Sequence, residues 1–385
     1  LVDQYGDIIE QEDLIIEVAV LDGLMDGTTQ VATDSRGSAE FLDLVLLEGE
    51  YLLKFSHGQL EATRPVNITL AGEGTMGFPY LIHNLYGLDA IRQDLAAFYE
   101  LANDVDASPT SEPNSPYWNN AAGWEPISDF AGSLDGQGHS ITDLFINRAG
   151  SNNVGLFASN YGDLMNLNML DVQISGNNNV GALVGQNAGQ IHDVLIEGGS
   201  IEGSTTIGGL SGKNSGSITS SQALTTVFGD GDAGGLVGQN SGRIEQSFAQ
   251  SSTLALRANA YVGGLVGNNR GTIHRSYARG QVDGSSAGGL VGHNQNSNNG
   301  IITESYAATE LRGSGAGNLG GLSSLSLGKV ENSYYDAELA GFTFGSGLPK
   351  TTMEMMQEET YVNWDFDQFW DIDGITNDGY PYFRK

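Results

Sequence analysis

The sequence predicts an all-β protein in which a small amino-terminal β-sandwich precedes a right-handed parallel β-helix. Three observations predict this fold. A glycine-led repeat fills much of the 385-residue chain. Its apolar runs are short and are broken by glycine or asparagine, which leaves no room for long helices. The amino-terminal part has a different texture, with alternating apolar runs separated by turn clusters.

The repeat runs from about residue 154 to residue 335 in seven copies. The first glycines of successive copies are 25 to 32 residues apart, a period that indicates a solenoid whose units stack to bury their apolar faces. Each copy predicts one coil, and the whole helix about nine or ten coils. The crossover rule for parallel strands predicts the right-handed winding. These repeat glycines are Gly155, Gly181, Gly208, Gly234, Gly263, Gly288 and Gly320.

A column of asparagines accompanies the glycines. In five copies an asparagine stands two residues before a glycine, and these asparagines are Asn160, Asn187, Asn214, Asn240 and Asn269. Both residue types tolerate positive φ, so we expect them at a corner that recurs in every coil. Stacked coils would place the asparagine amides above one another, where they can hydrogen-bond along a ladder.

A second column is aromatic. It contains Phe248, Tyr277, Tyr306 and Tyr334, each preceded by serine. The column admits two interpretations, an exposed strip that binds sugars or an internal aromatic stack, and we favour the internal stack.

At these residues the chain resembles a known repeat. The GGLVGxNxGxI core followed by SYA is similar to the GLUG repeat of bacterial surface adhesins and of accessory regions of secreted immunoglobulin A proteases. The similarity covers about Pro79 to Phe383, including PYLIHNLYGLDAIRQDL before the repeats and WDFDQFW after them. It implies a structural module and no particular activity. The zinc-protease signature HExxH is absent from the sequence.

The composition restricts the class of partner. With 47 acidic and 16 basic residues the net charge is −31, so like-charge repulsion disfavours nucleic acid and anionic membranes. This acidity suggests an extracellular or saline setting. The chain has no cysteine, which excludes disulfides and thiol catalysis. No apolar run reaches the roughly eighteen residues that membrane insertion needs. Because the chain begins at Leu1 without a leader, we expect a mature product or a fragment of a longer protein.

The domain organisation follows from the difference in sequence pattern between the amino-terminal part and the repeats. Residues 1–72 predict the β-sandwich, with strands at Leu14 to Val20, Ala39 to Leu47, Tyr51 to Phe55 and Val66 to Leu70. This part resembles the bacterial immunoglobulin-like modules of adhesins. Residues 73–78 are a glycine-rich hinge, and residues 79–350 form the capped β-helix.

Two segments are expected to cap the β-helix. Apolar spacing predicts a helix from Gly87 to Leu101 as part of an amino-terminal cap. Residues 351–385 predict a carboxy-terminal cap, with a short helix at 351–357 and an aromatic tail. The loop from Ala107 to Gly123 carries Tyr117 and Trp118, which are expected to fold back onto the neighbouring coil.

No catalytic or cofactor-binding residue is assigned. Asp135 and His139 in the SLDGQGH turn could form a catalytic pair, but the same residues are expected in a structural corner. The polar repeat columns are mixed and lack paired carboxylates. His192 and His274 lie about three coils, or some 15 Å, apart and cannot share a metal ion. The sequence therefore predicts a protein that is not an enzyme.

Calcium is the one metal that the sequence suggests. Asp104 and Asp106 alternate in NDVD, and Asp371 and Asp373 alternate in DIDG. Alternating oxygen ligands suit calcium, although neither run completes an EF-hand or a calcium β-roll. Solvated turn carboxylates are the simpler interpretation.

These observations predict an extracellular bacterial adhesin, or a structural protein of the cell surface or matrix, that acts by non-covalent recognition or self-association. Its expected partners are a glycan, a host or neighbouring cell surface, or another copy of itself. One alternative is a secreted carbohydrate-active β-helix enzyme that cleaves polysaccharides. Another is the non-catalytic accessory region of a large secreted protease.

Overall fold

The computed structural model describes residues 14–384, apart from residues 21–27, 36–37, 40, 42–45, 47–48, 258–259, 296–299 and 314–317. The fold is all-β, as the sequence predicts, and its main body is a parallel β-solenoid. Within the described part of the chain, every helix is too short or too polar to cross a membrane.

The amino-terminal part forms one antiparallel sheet in the order β2-β1-β3-β4. A two-residue loop joins β3 to β4, and Gly58 in this loop has the positive φ that such hairpins need. The second sheet of a sandwich is not tested, because most of the strand expected at Ala39 to Leu47 lies outside the described residues. The strands are β1 (Ile15–Val20), β2 (Gln30–Ala32), β3 (Gly49–His57) and β4 (Leu60–Ile68).

The solenoid begins with short elements. Its first strands are β5 (Tyr80–Ile82), β6 (Phe98–Leu101), β7 (Val105–Asp106), β8 (Ser133–Asp135), β9 (Ser140–Thr142) and β10 (Phe145–Asn147). The helices among them are α1 (Leu85–Ala90) and the 3-10 turns Ile91–Gln93, Ser108–Ser111 and Asn119–Ala121.

The repeats supply the next strands. They are β11 (Phe157–Asn160), β12 (Asp163–Leu170), β13 (Gln173–Ser175), β14 (Val184–Asn187), β15 (Gln190–Gly203), β16 (Thr206–Gly208), β17 (Ser211–Asn214), β18 (Ser217–Thr219), β19 (Gln222–Gly229), β20 (Asp232–Gly234), β21 (Val237–Asn240), β22 (Arg243–Glu245) and β23 (Phe248–Ala255). They continue with β24 (Tyr261–Gly263), β25 (Val266–Asn269), β26 (Thr272–His274), β27 (Tyr277–Asp283), β28 (Ser286–Gly288), β29 (Val291–Asn294), β30 (Ile301–Thr303), β31 (Tyr306–Arg312), β32 (Leu319–Gly320), β33 (Ser323–Ser326), β34 (Lys329–Glu331) and β35 (Tyr334–Asp336).

The carboxy-terminal part is less regular. Its elements are α2 (Ala337–Ala340), β36 (Leu348–Lys350), α3 (Thr352–Met355), the 3-10 turn Glu358–Thr360, β37 (Trp370–Asp371), the 3-10 turn Thr376–Gly379 and β38 (Tyr382–Phe383). The short helix expected at 351–357 is confirmed as α3, which a capping box between Thr351 and Glu354 starts.

Seven full coils stack in parallel register. One face is the seven-stranded sheet β11-β14-β17-β21-β25-β29-β33, and another is the five-stranded sheet β16-β20-β24-β28-β32. A third, larger sheet contains a column of ten stacked strands, β5-β6-β8-β12-β15-β18-β22-β26-β30-β34. The predicted nine or ten coils therefore correspond to seven repeat coils with three further strands stacked before them.

The core runs along the axis of the solenoid. Strands β15, β18, β22, β26 and β30 of the ten-strand column each bury an isoleucine at the position they share, as at Ile218, Ile244 and Ile273. In β8 and β12 the equivalent buried residues are Leu134 and Leu164. Each such side chain stabilises the fold by roughly 1.5–3 kcal/mol through burial. Because every coil repeats the same inward positions, the core grows by one layer per repeat.

The predicted helix from Gly87 to Leu101 is wrong in its second half. Helix α1 begins at Leu85, where Asn84 accepts a hydrogen bond from the Gly87 amide, and Phe98–Leu101 forms strand β6 instead. Strand β6 lies between β5 and β8 and hydrogen-bonds with both. The ladder satisfies the backbone and buries Tyr99, so tertiary pairing overrides the helical spacing.

Candidate recognition surface

The asparagine column forms a buried ladder, as expected. From Asn160 to Asn294 each Nδ2 donates to the Oδ1 of the asparagine one coil further on, at 2.8 to 2.9 Å. All six side chains are fully buried. Their expected positive φ is wrong, because none of these asparagines lies in the left-handed region. The asparagines are selected as buried hydrogen-bonding groups, which must find partners inside the protein.

Glycine is required at the repeat positions for close approach. A Cβ at Gly216 would lie 2.0 Å from the carbonyl oxygen of Gly189 in the preceding coil. At the predicted repeat glycines the same contact is with backbone in the same or the next coil. The shortest distance is 2.6 Å at Gly181, and 2.2, 2.1, 2.0 and 2.0 Å at Gly208, Gly234, Gly263 and Gly288.

The left-handed corner lies at another column, which the sequence analysis missed. It contains Ser220, Gln246, Arg275, Glu304 and Asn332, all with positive φ. The serine that follows each of them is buried, and its hydroxyl donates to the carbonyl two residues earlier, as Ser247 does to Glu245. That hydroxyl also accepts the backbone N–H of the equivalent serine in the preceding coil. The serine before each aromatic residue was the available signal.

The aromatic column is a stack on the outside of the solenoid. The rings of Phe248 and Tyr277 lie 4.5 Å apart at 5°, and those of Tyr277 and Tyr306 lie 4.9 Å apart at 7°. The neighbouring residues Ala278 and Ala307 point into the core. Tyr277, Tyr306 and Tyr334 are nevertheless buried, as the internal stack predicted, but in a second apolar cluster separate from the core.

The second cluster is closed by the carboxy-terminal segment. Trp364 and Trp370 stack on each other 4.4 Å apart and pack against Tyr306. Nε1 of Trp364 donates to the carbonyl of Asn332, and the Tyr334 hydroxyl accepts the amide of Val362. The predicted cap thus lies along the flank of the last coils. The end of the core is contacted by Ala340 and Phe342.

Hydrogen bonds anchor this segment to the aromatic stack. The Tyr306 hydroxyl donates to the Pro381 carbonyl at 2.7 Å and accepts from Nδ2 of Asn377 at 2.8 Å. Burial raises the pKa of Tyr306 well above its ordinary value. Arg279 pairs with Asp378 at 2.5 Å and holds the pKa of that carboxyl below its usual range. The phenol of Tyr306 therefore stays protonated and serves as a structural anchor.

A groove opens where the carboxy-terminal segment stops covering the stack. It has a volume of about 460 Å³. Its floor is the half-buried ring of Phe248 with residues of the adjoining strands, and one wall is the segment that ends the chain. The lining residues are Asp193, Ser220, Gln222, Leu224, Gln246, Phe248, Gln250, Tyr277, Thr376, Asn377, Tyr382, Phe383 and Arg384.

The predicted calcium ligands accept hydrogen bonds from backbone amides. Asp104 accepts from the amide of Ser140, and Asp106 accepts from the amide of Ser108. Asp371 accepts from the amide of the next residue. Asp373 accepts from the Thr376 hydroxyl and from two backbone amides, bonds that lower the pKa of this carboxyl to about 2. Among the described residues, no three acidic or histidine side chains converge as a metal site.

Asp135 and His139, the candidate catalytic pair, bond to different partners. Asp135 accepts from the amide of Gln137 and from Asn166, whereas His139 lies 3.3 Å from Asp104. The structure therefore gives Asp135 the turn-shaping role and brings no catalytic pair together there.

Two histidines and two loop aromatics that the sequence analysis named also bond to or stack on other side chains of the protein. His192 pairs with Asp193, and His274 bonds the Thr303 hydroxyl. Tyr117 and Trp118 fold back as expected, with Tyr117 stacked on Trp124 and Trp118 on Phe145.

The fold and its ladders define a parallel β-solenoid with a separately packed carboxy-terminal segment. No model of a known protein family matches the chain. The chain is 40% identical over 134 residues to Halomucin of Haloquadratum walsbyi, covering 34% of this chain and 1% of Halomucin. It is 35% identical over 158 residues to a candidate glycine-rich membrane protein of Evansella cellulosilytica, covering 38% of this chain and 17% of that protein. The chain thus spans a small part of either relative.

Two solved structures share the fold. One is a candidate immunoglobulin A1 protease from Bacteroides ovatus, with a TM-score of 0.51 and 20% identity, covering 81% of this chain and 94% of that one. The other is named an IgA1 protease, with a TM-score of 0.54 and 17% identity, covering 92% of this chain and 32% of that one. At this identity the likeness shows the β-solenoid fold alone.

Proposed function

We propose that this chain is an extracellular, non-catalytic module of a bacterial cell surface or matrix, which acts by non-covalent recognition. One observation carries the proposal. Seven coils hold their side chains in register, and this rigid surface carries a groove where the covering segment stops. The asparagine and serine ladders lie inside the coils, so the outward columns are free to differ from coil to coil, as a recognition surface requires.

The relatives support this setting. Part of the chain is similar to Halomucin and part to a protein named for a membrane location. The net charge of −31 suits a surface protein in saline surroundings, because mutual repulsion keeps such proteins soluble. Calcium would act here as a counter-ion at Asp104, Asp106, Asp371 or Asp373, and it is part of the proposal only in that sense.

A second candidate function is a non-catalytic accessory region of a larger secreted protease. The observation that favours it is the shared β-solenoid of the two structures named for immunoglobulin A1 proteases. In that setting the solenoid would position a separate catalytic part, so both candidates assign the chain a binding or scaffolding role.

An adhesion experiment tests the proposal. Beads coated with the chain would be washed over films of bacterial, plant and fungal polysaccharide and of mucin glycoprotein, in calcium and in chelator. Beads coated with an unrelated protein of similar net charge provide the control for charge. We expect retention on at least one film above this control. Equal retention of both bead types on every film would contradict the proposal.

The oligomeric state belongs to the same test. Light scattering on the purified chain, with calcium and with chelator, measures self-association directly. Large assemblies that dissolve in chelator would assign calcium and self-association to the function. If the chain is a monomer with and without calcium, neither calcium nor self-association belongs to the function, and recognition of another molecule remains.

A further inference from the structure

We propose that the groove beside Phe248 binds a neutral oligosaccharide by stacking one pyranose ring on the Phe248 side chain. The inference rests on the proposed recognition function and names its ligand class and its site. It is argued from the free face of the aromatic stack, from the unpaired amides around it and from the charge of the lining.

Phe248 is the last ring of its stack. One face lies on Tyr277 at 4.5 Å and 5°, so the ring is held flat and its orientation is fixed. In the preceding coil the stacked position is Gln222, so aromatic stacking stops there. The second face of Phe248 is therefore turned toward Gln222, which also lines the groove. A ring that is supported on one face by Tyr277, and that meets a polar side chain in place of another ring on the second face, is a pre-organised stacking platform.

The polar lining matches hydroxyl groups. Gln222 and Gln246 are half-buried and Gln250 is exposed, and all three line the groove. Among the described residues their side-chain amides have no hydrogen-bond partner. A glutamine amide offers both donors and an acceptor. A pyranose presents C–H groups on one face and hydroxyls at its rim. The C–H face suits the negative face of an aromatic ring, and the rim suits the amides.

The charge of the lining indicates a neutral ligand. In a chain with net charge −31, the groove is lined by one acidic and one basic residue. Both already have partners, since Asp193 pairs with His192 and Arg384 lies 3.8 Å from an Asp371 oxygen. Nε of Arg384 also donates to two backbone carbonyls. An anionic ligand would therefore find no unpaired cation among these residues.

The size and position of the groove agree with this assignment. Its volume of about 460 Å³ falls in the range of small-molecule sites, roughly 300–1,000 Å³. The wall formed by Tyr382 and Phe383 belongs to strand β38, whose packing against the stack fixes its distance from Phe248. The ring centres of Phe248 and Phe383 are 6.3 Å apart, so two aromatic surfaces converge at the site.

The test uses the full chain and defined sugars. Cellohexaose, xylohexaose, mannohexaose and laminarihexaose would be screened by saturation-transfer NMR, with oligogalacturonate as the charged comparison. Calorimetry would then measure the dissociation constant of each hit. We expect at least one neutral hexaose to bind and oligogalacturonate to bind more weakly.

Variants locate the binding. Phe248→Ala should weaken binding about tenfold or more, which corresponds to about 1.4 kcal/mol, and Phe248→Tyr should retain it because tyrosine fills the same column in the next coil. The double variant Gln222→Ala with Gln250→Ala leaves the stack intact and should also weaken binding. Tyr161→Ala is the matched control, since this exposed aromatic lies outside the groove.

The outcomes separate this inference from the proposed function. Sugar binding that is unchanged in Phe248→Ala and in the double glutamine variant would overturn the groove assignment. Stronger binding of oligogalacturonate would overturn the assignment to a neutral ligand. Retention of coated beads on a film by wild-type and variants alike would keep the recognition function and reject this site. Absence of both hexaose binding and bead retention would reject both.

Discussion

The asparagine ladder and the aromatic stack each place one side chain per coil, yet the coils themselves bury the first, whereas a separate segment buries the second. An amide both donates and accepts, so Asn214 satisfies the coils before and after it and needs nothing further. A stacked aromatic ring contacts the rings of the neighbouring coils only through its two faces. Its edge and hydroxyl need a cover, which the carboxy-terminal segment provides for Tyr306 and Tyr334.

This difference explains where the groove lies. A ladder of self-matched amides can continue for as many repeats as the chain supplies. The aromatic stack can continue only as far as its cover reaches, and the ring at that limit is Phe248, which is half-buried. The boundary of the cover thus becomes the place where an aromatic surface is available to a ligand.

The largest effect should come from removing the cover. Trp370→Ala deletes a fully buried indole between Tyr277, Trp364 and Phe383. We expect the free energy of unfolding of the carboxy-terminal segment to fall by about 3–5 kcal/mol. Tryptophan fluorescence in urea and limited proteolysis would measure it. Val362→Ala is the exposed control, and equal protease resistance of the two variants would contradict the interpretation.

A smaller loss should come from breaking the amide ladder. Asn240→Leu removes the acceptor of Asn214 Nδ2 and the donor to Asn269 Oδ1 at a fully buried position. Each unmatched buried group costs about 1–3 kcal/mol, so the denaturation midpoint of the solenoid should fall. Circular dichroism in urea measures the change. Gln239→Leu, one residue earlier and half-buried, should be close to neutral; a comparable loss there would show that the ladder is not the cause.

Two tyrosines of the aromatic stack differ in whether the hydroxyl group is hydrogen-bonded. Tyr306→Phe removes the hydroxyl that bonds Pro381 and Asn377, and should destabilise by about 1 kcal/mol. In Tyr277→Phe the lost hydroxyl has no hydrogen-bond partner among the described residues and the ring stacking is kept, so the effect should be near zero. Thermal denaturation measures the loss of stability in each variant. If hydrogen bonds anchor the segment, Tyr306→Phe loses more stability than Tyr277→Phe. If ring contacts alone anchor it, the two losses are equal.

The smallest expected effect depends on pH. Burial lowers the pKa of His274 and of His293 below 6.5, and both nitrogens of His293 are buried without a partner among the described residues. Below pH 6.5 the unfolded chain takes up protons that the folded chain refuses, so their contribution to stability is present at pH 7.5 and falls with acidification.

The melting temperature at pH 7.5 and pH 5 measures this contribution. The nearby charged groups are Glu245, Glu304, Arg243 and Arg275 around His274, and Asp232 and Arg270 around His293. Acidification also relieves the net negative charge, so the comparison must be with a variant in which both histidines become glutamine. The wild-type should lose more stability than this variant. An identical pH response would contradict the assignment.

What the sequence determined is the part of the fold that repeats. The coil, the inward apolar position of each layer and the asparagine ladder depend on residues one repeat apart, so their period identifies them. The tertiary structure decided the rest, because the deciding partners are distant or outside the repeat. Phe98–Leu101 became a strand through pairing with β5 and β8, and the left-handed corner lay at the Ser220 column. The aromatic stack found its cover 28 to 75 residues further along the chain, in a segment outside the repeats, and no period in the sequence reports contacts of that kind.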